Sequence, residues 1–123
     1  MSASSSEHTI RLGEIAHARS GDKGDSANIG VLAYTDAGYT WLQQQVTAER
    51  VKAYFDHLGP SKVDRYELPN LGALNFVLHD VLDGGGSRSS RVDAQGKTLG
   101  RIILDMRIPA PDEVESMRRK SDA

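Results

Sequence analysis

Between Thr47 and Pro60 this chain has few conformational options. Val51, Tyr54, Phe55 and Leu58 recur at i, i+3, i+4 and i+7, which is one face of an α-helix. Thr47 stands where an N-cap hydroxyl belongs. Gly59-Pro60 supplies a left-handed cap followed by a residue that cannot continue the helix. Apolar runs flank this helix on both sides. Residues 28–35, with Ile29, Val31, Leu32, Ala33 and Tyr34, read as a central strand, and Val63 to Leu68 as another, stopped by Pro69. After the break at Asp36-Ala37-Gly38, Tyr39 to Gln45 predicts a short helix with Trp41 and Leu42 toward the core. Two parallel strands of one sheet joined in this way need a right-handed crossover.

The rest of the chain is placed around that unit. Ile10 and Leu12 alternate with Thr9 and Arg11 as a first strand, and the phase shift after Gly13 predicts a bulge or bend. Asn70 is positioned to cap a second main helix running to about Leu82. Its apolar residues, Leu71, Leu74, Phe76, Val77, Leu78 and Val81, cover most of the circumference, as in a buried helix. Ser87 to Asp93 is a weaker strand candidate. Ile102, Leu104, Met106 and Ile108 alternate like a final half-buried strand, and Pro109 and Pro111 mark the end of the fold. The expected division is a disordered tail at 1–7, one domain at 8–109 and a charged tail at 110–123, in which residues 112–123 form a short charged helix or, as the favoured reading, stay mobile. The order β, β, α, β, α, β, β fits an α+β two-layer sandwich, with helices on one face of a mostly antiparallel sheet. Its other face then needs cover from a partner chain, which predicts a homo-oligomer, a dimer or larger.

Size and composition narrow the function classes. The chain has 123 residues, enough for one domain. With no cysteine, disulfides, thiolate metal sites and cysteine nucleophiles are excluded together. Fifteen basic residues against 17 acidic ones leave a net charge of −2, so bulk charge recommends neither nucleic acid nor an anionic membrane. No apolar run approaches the roughly 20 residues of a spanning helix. Met1-Ser2-Ala3-Ser4-Ser5-Ser6 lacks the basic and apolar regions of a signal peptide, which predicts a cytoplasmic location.

Residues 18–30 carry the densest chemistry. Arg19, Ser20, Asp22, Lys23, Asp25 and Asn28 bear polar or charged side chains around Gly21 and Gly24. Read as a loop, this segment makes an anion nest of backbone amides, with Arg19 and Lys23 supplying positive charge. A carboxylate, a phosphate or the pantetheine-phosphate end of a thioester suits such a nest. The same residues have a second reading. Asp22, Asp25 and Asn28 can close Asx turns on their own backbone, and Lys23 a surface salt bridge worth under ~1 kcal/mol. Two carboxylates beside a lysine and an arginine fall short of a calcium loop's ligand count, so no metal is expected.

Other candidates are more dispersed. Gly84-Gly85-Gly86, with Arg88 beyond it, permits close approach to a ligand or forms a flexible connection. Gly96-Lys97-Thr98 is not a Walker A end, because Arg91 stands where glycine is required. Asn70 and Asn75 fix either a loop or a substrate group. His17 and His79 are general bases given suitable neighbours, or structural histidines. No serine has a visible base and orienting acid, so a hydrolase triad has no support.

Four separated segments carry a family resemblance. They are Ala18-Arg-Ser-Gly-Asp-Lys-Gly-Asp-Ser-Ala-Asn-Ile-Gly-Val31, Tyr66-Glu-Leu-Pro-Asn-Leu-Gly-Ala-Leu-Asn-Phe-Val-Leu-His79, Leu82-Asp-Gly-Gly-Gly86 and Asp93-Ala-Gln-Gly-Lys97. From about residue 10 to 109 the chain resembles the C-terminal domain of the acyclic terpene utilisation protein A family, in its stand-alone small form. The resemblance implies a ferredoxin-like fold and a place in bacterial breakdown of branched or terpenoid acids through coenzyme A thioesters. It also implies a separately encoded large chain as partner. By matching position, Arg19, Ser20, Gly21, Asp22, Lys23, Gly24, Asp25 and Asn28 form the family's most recognisable loop, and Asn70, Asn75 and Gly84 to Gly86 carry over likewise. Ser87-Arg88-Ser89-Ser90 departs from the family's small or apolar residues at that place.

Three functions follow as expectations. The leading one is an accessory or small-subunit domain that contributes the polar segment to a composite acyl-coenzyme A or carboxylate site. No cofactor is bound, and the thioester is a substrate. The second is a self-sufficient hydratase or lyase acting on an enoyl or hydroxyacyl thioester. Asp22 or Asp25 is then the base, and Lys23 and Arg19 hold the anionic end. Cations beside such a base oppose the raised pKa it needs. The third is a structural homo-oligomer with no ligand site.

Overall fold

The computed structural model describes residues 8–24, 26–81 and 99–118, and the backbone alone of Lys23. Expectations for residues 1–7, Asp25, Gly84 to Gly86, Ser87 to Asp93 and the last five residues fall outside the described residues.

The predicted βαβ unit is present. Strand β3 (Ser26–Ala33) leads into helix α1 (Asp36–Gln45), helix α2 (Ala48–Tyr54) and strand β4 (Lys62–Leu68). Both helices start on threonine hydroxyls. Thr35 Oγ1 accepts from the Gly38 amide at 3.0 Å, and Thr47 Oγ1 from the Arg50 amide at 3.0 Å. Val51, Phe55 and Leu58 are buried as the helical spacing requires. Gly59, at φ +65°, makes the expected left-handed cap. Trp41 packs at the core's edge and donates from Nε1 to the Pro109 carbonyl at 2.9 Å.

Among the described residues the main sheet has four strands in the order β2 (Ala16–Lys23), β3, β5 (Ala73–His79), β4, with every neighbouring pair antiparallel. Strands β3 and β4 therefore run parallel with β5 between them. A second, two-stranded sheet pairs β1 (Thr9–Arg11) with β6 (Arg107–Pro109). Ala27, Ile29 and Val31 of β3 stand opposite Leu78, Phe76 and Leu74 of β5 to form the sheet's buried face. Helices α1, α2 and α3 (Leu99–Ile103) pack on that side. This is an α+β, two-layer, ferredoxin-like sandwich. From β3 to α3 the order is β-α-β-β-α, the opening of the β-α-β-β-α-β unit. The edge strand beside β3 comes from β2, ahead of that unit in the chain.

Several elements differ from expectation. The segment from Asn70 to Leu82 is not a helix: Pro69–Leu71 is a 3-10 turn, and Ala73–His79 is strand β5. Leu74, Phe76 and Leu78 bury one face, while Asn75, Val77 and His79 lie half-buried on the other. An apolar run on both faces satisfies either period, and Gly72, left-handed at φ +60°, decides for a hairpin by ending the turn. The alternating run from Ile102 to Ile108 divides into α3 and β6. Leu99, Ile103 and Met106 are buried at i, i+4 and i+7, the helical spacing that alternation concealed. The break after Gly13 is a 3-10 turn, Leu12–Glu14. The segment after Pro111, expected to be mobile, carries helix α4 (Val114–Met117), with Met117 buried.

Candidate functional site

The polar segment is a hairpin rather than a loop. Strands β2 and β3 pair from Ala16↔Ala33 to Lys23↔Ser26, leaving only two residues in the turn. Gly24 takes φ +62° at the first of them, the left-handed backbone that tight hairpin turns demand. Pleating therefore sends successive side chains to opposite faces. Ser20 lies on the helix side, where its Oγ accepts from the Gly100 amide of α3 at 3.0 Å. That hydroxyl serves the fold. Arg19 and Gly21 lie on the opposite, open face.

Register then assembles that face. Arg19, Gly30, Asn75 and Tyr66 form one row across the four strands. Gly21, Asn28, Val77 and Asp64 form the next row toward the hairpin turn, and His17, Leu32, Ala73 and Leu68 the next row away from it. Two glycines sit beside the two amides. A Cβ on Gly21 would stand 3.2 Å from Asn28 Oδ1, and one on Gly30 would stand 4.0 Å from Asn75 Oδ1. The missing side chains leave room for the asparagines to lie along the sheet. A half-open cavity of about 600 Å³ is lined by Asp22, Ser26, Ala27, Asn28, Asn75 and Val77. Among the described residues, Arg19, Asn28 and Asn75 have no side-chain hydrogen-bond partner.

The open face is divided chemically. Toward the hairpin turn it is polar, and His79 Nε2 meets Asp64 Oδ2 at 2.8 Å, with Lys62 Nζ 3.7 Å from Asp64 Oδ1. At the other end, His17 stacks on Tyr34 at a 5.6 Å centroid separation. Tyr66, Leu68 and Leu71 are exposed there by 52%, 39% and 65%, the exposed large apolar side chains among the described residues.

The structure thus brings Asp22, Asn28 and Asn75 around one cavity, with Arg19 in the row through Asn75. It separates Asn70, exposed in the β4–β5 turn, from Gly24 by the length of the sheet, roughly 20 Å for six residues of strand. His79, named from the sequence as a general base given a suitable neighbour or else a structural histidine, shares the face with Asp64, which was not singled out from the sequence. Reading Ala73–His79 as a strand would have paired them, because Lys62↔His79 and Asp64↔Val77 make them diagonal neighbours. Among the described residues, no three His, Asp or Glu side chains gather as a metal site requires. No helix among them is long and apolar enough to cross a membrane.

A family model described as the AtuA ferredoxin-like domain matches residues 10–109. No curated protein and no solved structure matches the chain. The matched span runs from the first strand to the last and includes the whole open sheet face. This chain belongs to the AtuA ferredoxin-like domain family.

Proposed function

We propose that this chain is an accessory subunit. Its open sheet face docks on a larger chain and supplies one wall of a composite site for an acyl-coenzyme A thioester or its carboxylate. The two-part character of that face carries the reading. Tyr66, Leu68 and Leu71 expose apolar area that a partner would bury. Beside them, the Asn28 and Asn75 amides line a cavity with Arg19 in the row through Asn75. Amide donors and a guanidinium suit a carbonyl or carboxylate oxygen. A half-open depression on one chain becomes a pocket once a second surface closes it.

A self-sufficient enzyme has less support. Asp22 is exposed, and burial is what raises a carboxylate into the range of a general base. A second copy of this chain is the other candidate for the face.

The test is co-expression with the large family chain, followed by size exclusion with light scattering. The wild-type chain is expected to elute as a complex. Tyr66→Asp is expected to elute alone while keeping its stability within about 0.5 kcal/mol, since that ring is half exposed. A chain that ignores the large chain, or that self-associates through this face instead, contradicts the proposal.

A further inference from the structure

The His79–Asp64 pair lies next to two of the residues that line the cavity, Val77 and Ser26, without lining it itself. Val77, a cavity-lining residue, lies two positions before His79 on the same face of β5 and opposite Asp64 on β4. The β3–β5 register, carried one residue further, sets Ser26 beside His79. The imidazole is about one-third exposed, and Nε2 is committed to Asp64 at 2.8 Å. An ionised carboxylate only accepts, so the nitrogen facing it carries the hydrogen, and in the neutral tautomer that this contact selects Nδ1 presents a lone pair. Among the described residues, Nδ1 has no donor. The nearby groups at this end are Lys62, which approaches Asp64, and Ser61, whose hydroxyl donates to Asp80.

We infer that His79, oriented by Asp64, is a specificity-determining residue of the site: its free nitrogen accepts a hydrogen bond from a hydroxyl on the acyl chain, so the preferred ligand is a hydroxyacyl thioester. This rests on the thioester reading above and deepens it. The asparagine amides are donors suited to the thioester carbonyl, whereas a neutral imidazole nitrogen calls for a donor on the ligand. A site built to bond a hydroxyl discriminates against the analogue that lacks it.

The experiment compares a 3-hydroxyacyl pantetheine thioester with its analogue lacking the hydroxyl. Binding to the full chain, alone and in complex with the large chain, is followed by NMR at the Asn28 and Asn75 side-chain amides and the His79 ring. The hydroxylated ligand is expected to bind about three- to tenfold more tightly. His79→Phe is expected to remove that preference. The wild-type His79 ring signal reads the same contact without substitution, moving with the hydroxylated ligand and staying still with its analogue. Shifts at Asn28 and Asn75 with no preference, or a preference that survives His79→Phe, overturn the inference and leave the site standing. No shift at any of the three residues, alone or in the complex, overturns the site and the inference together.

Discussion

Glu14 ties both ends of the described chain together. Its carboxylate accepts from Arg118 Nη2 at 2.8 Å and from the Arg11 amide at 3.2 Å, and Arg118 also bonds Glu115. The Arg118 hydrogen bond holds the Glu14 carboxyl below the ordinary glutamate value. Partial burial opposes this and the Arg11 amide reinforces it. A depressed folded-state pKa stabilises the fold above the unfolded value, and the contribution disappears as pH falls through the folded one. Glu14→Gln is therefore expected to lower stability at neutral pH by less than about 1 kcal/mol. Below the folded-state pKa, in the acid range, that contribution is gone and the difference should vanish. Urea denaturation of both proteins at the two pH values checks this, and a gap that widens on acidification contradicts it. Tyr54 is a simpler case: burial pushes its phenol up, and the hydroxyl donates to the Ile102 carbonyl at 2.6 Å.

Among the elements, α3 rests on β2 with almost no clearance. A Cβ on Gly100 would stand 3.2 Å from the Arg19 carbonyl carbon, which is backbone and cannot rotate aside. Gly100→Ala is expected to cost about 1–3 kcal/mol through overpacking, and Ser20→Ala about 1 kcal/mol through the lost bond to the same residue. Thermal melts separate the two, and a neutral Gly100→Ala would mean that α3 can lift away. Arg65 does a related task at the far end of α1, donating from Nη1 to the Gln43 and Val46 carbonyls at 3.0 and 3.1 Å. Removing it as Arg65→Met should cost about 1–3 kcal/mol, because two helix-end carbonyls lose a charged donor. Denaturant titration reads this directly.

Legibility in the sequence followed the same local physics. The caps at Thr47 and Gly59 and the i, i+3, i+4, i+7 face of α2 were readable because each depends on neighbours in the chain. Strand β5 was not, because Leu74 to Leu78 is apolar on both faces and only long-range pairing with β3 and β4 chooses the strand. The hairpin at Gly24 read as a loop because its exposed arms are as polar as a loop. The residue types of the site were visible, but their assembly depended on register. Asn28 and Asn75 lie 47 positions apart in sequence and meet only through the β3–β5 ladder. His79, which a helical reading buries, reaches Asp64 by the same route.

At the scale of the whole molecule, the described residues pack helices on one face of the sandwich and leave the other without cover from one another. Helices α1 to α3 cover Ile29, Val31, Leu74, Phe76 and Leu78 completely. The opposite face offers aromatic and leucine side chains at one end and amides, an imidazole and the Asp64 carboxylate at the other. The proposed docking through that face sets its exposed apolar end against a partner. Radical footprinting of the chain with and without the large family chain tests this most directly. Tyr66, Leu68, Leu71 and the His17–Tyr34 stack are predicted to lose reactivity in the complex, while Trp41 and Tyr54 on the helix side keep theirs. Protection of Trp41 and Tyr54, with Tyr66, Leu68 and Leu71 left reactive, would contradict the account.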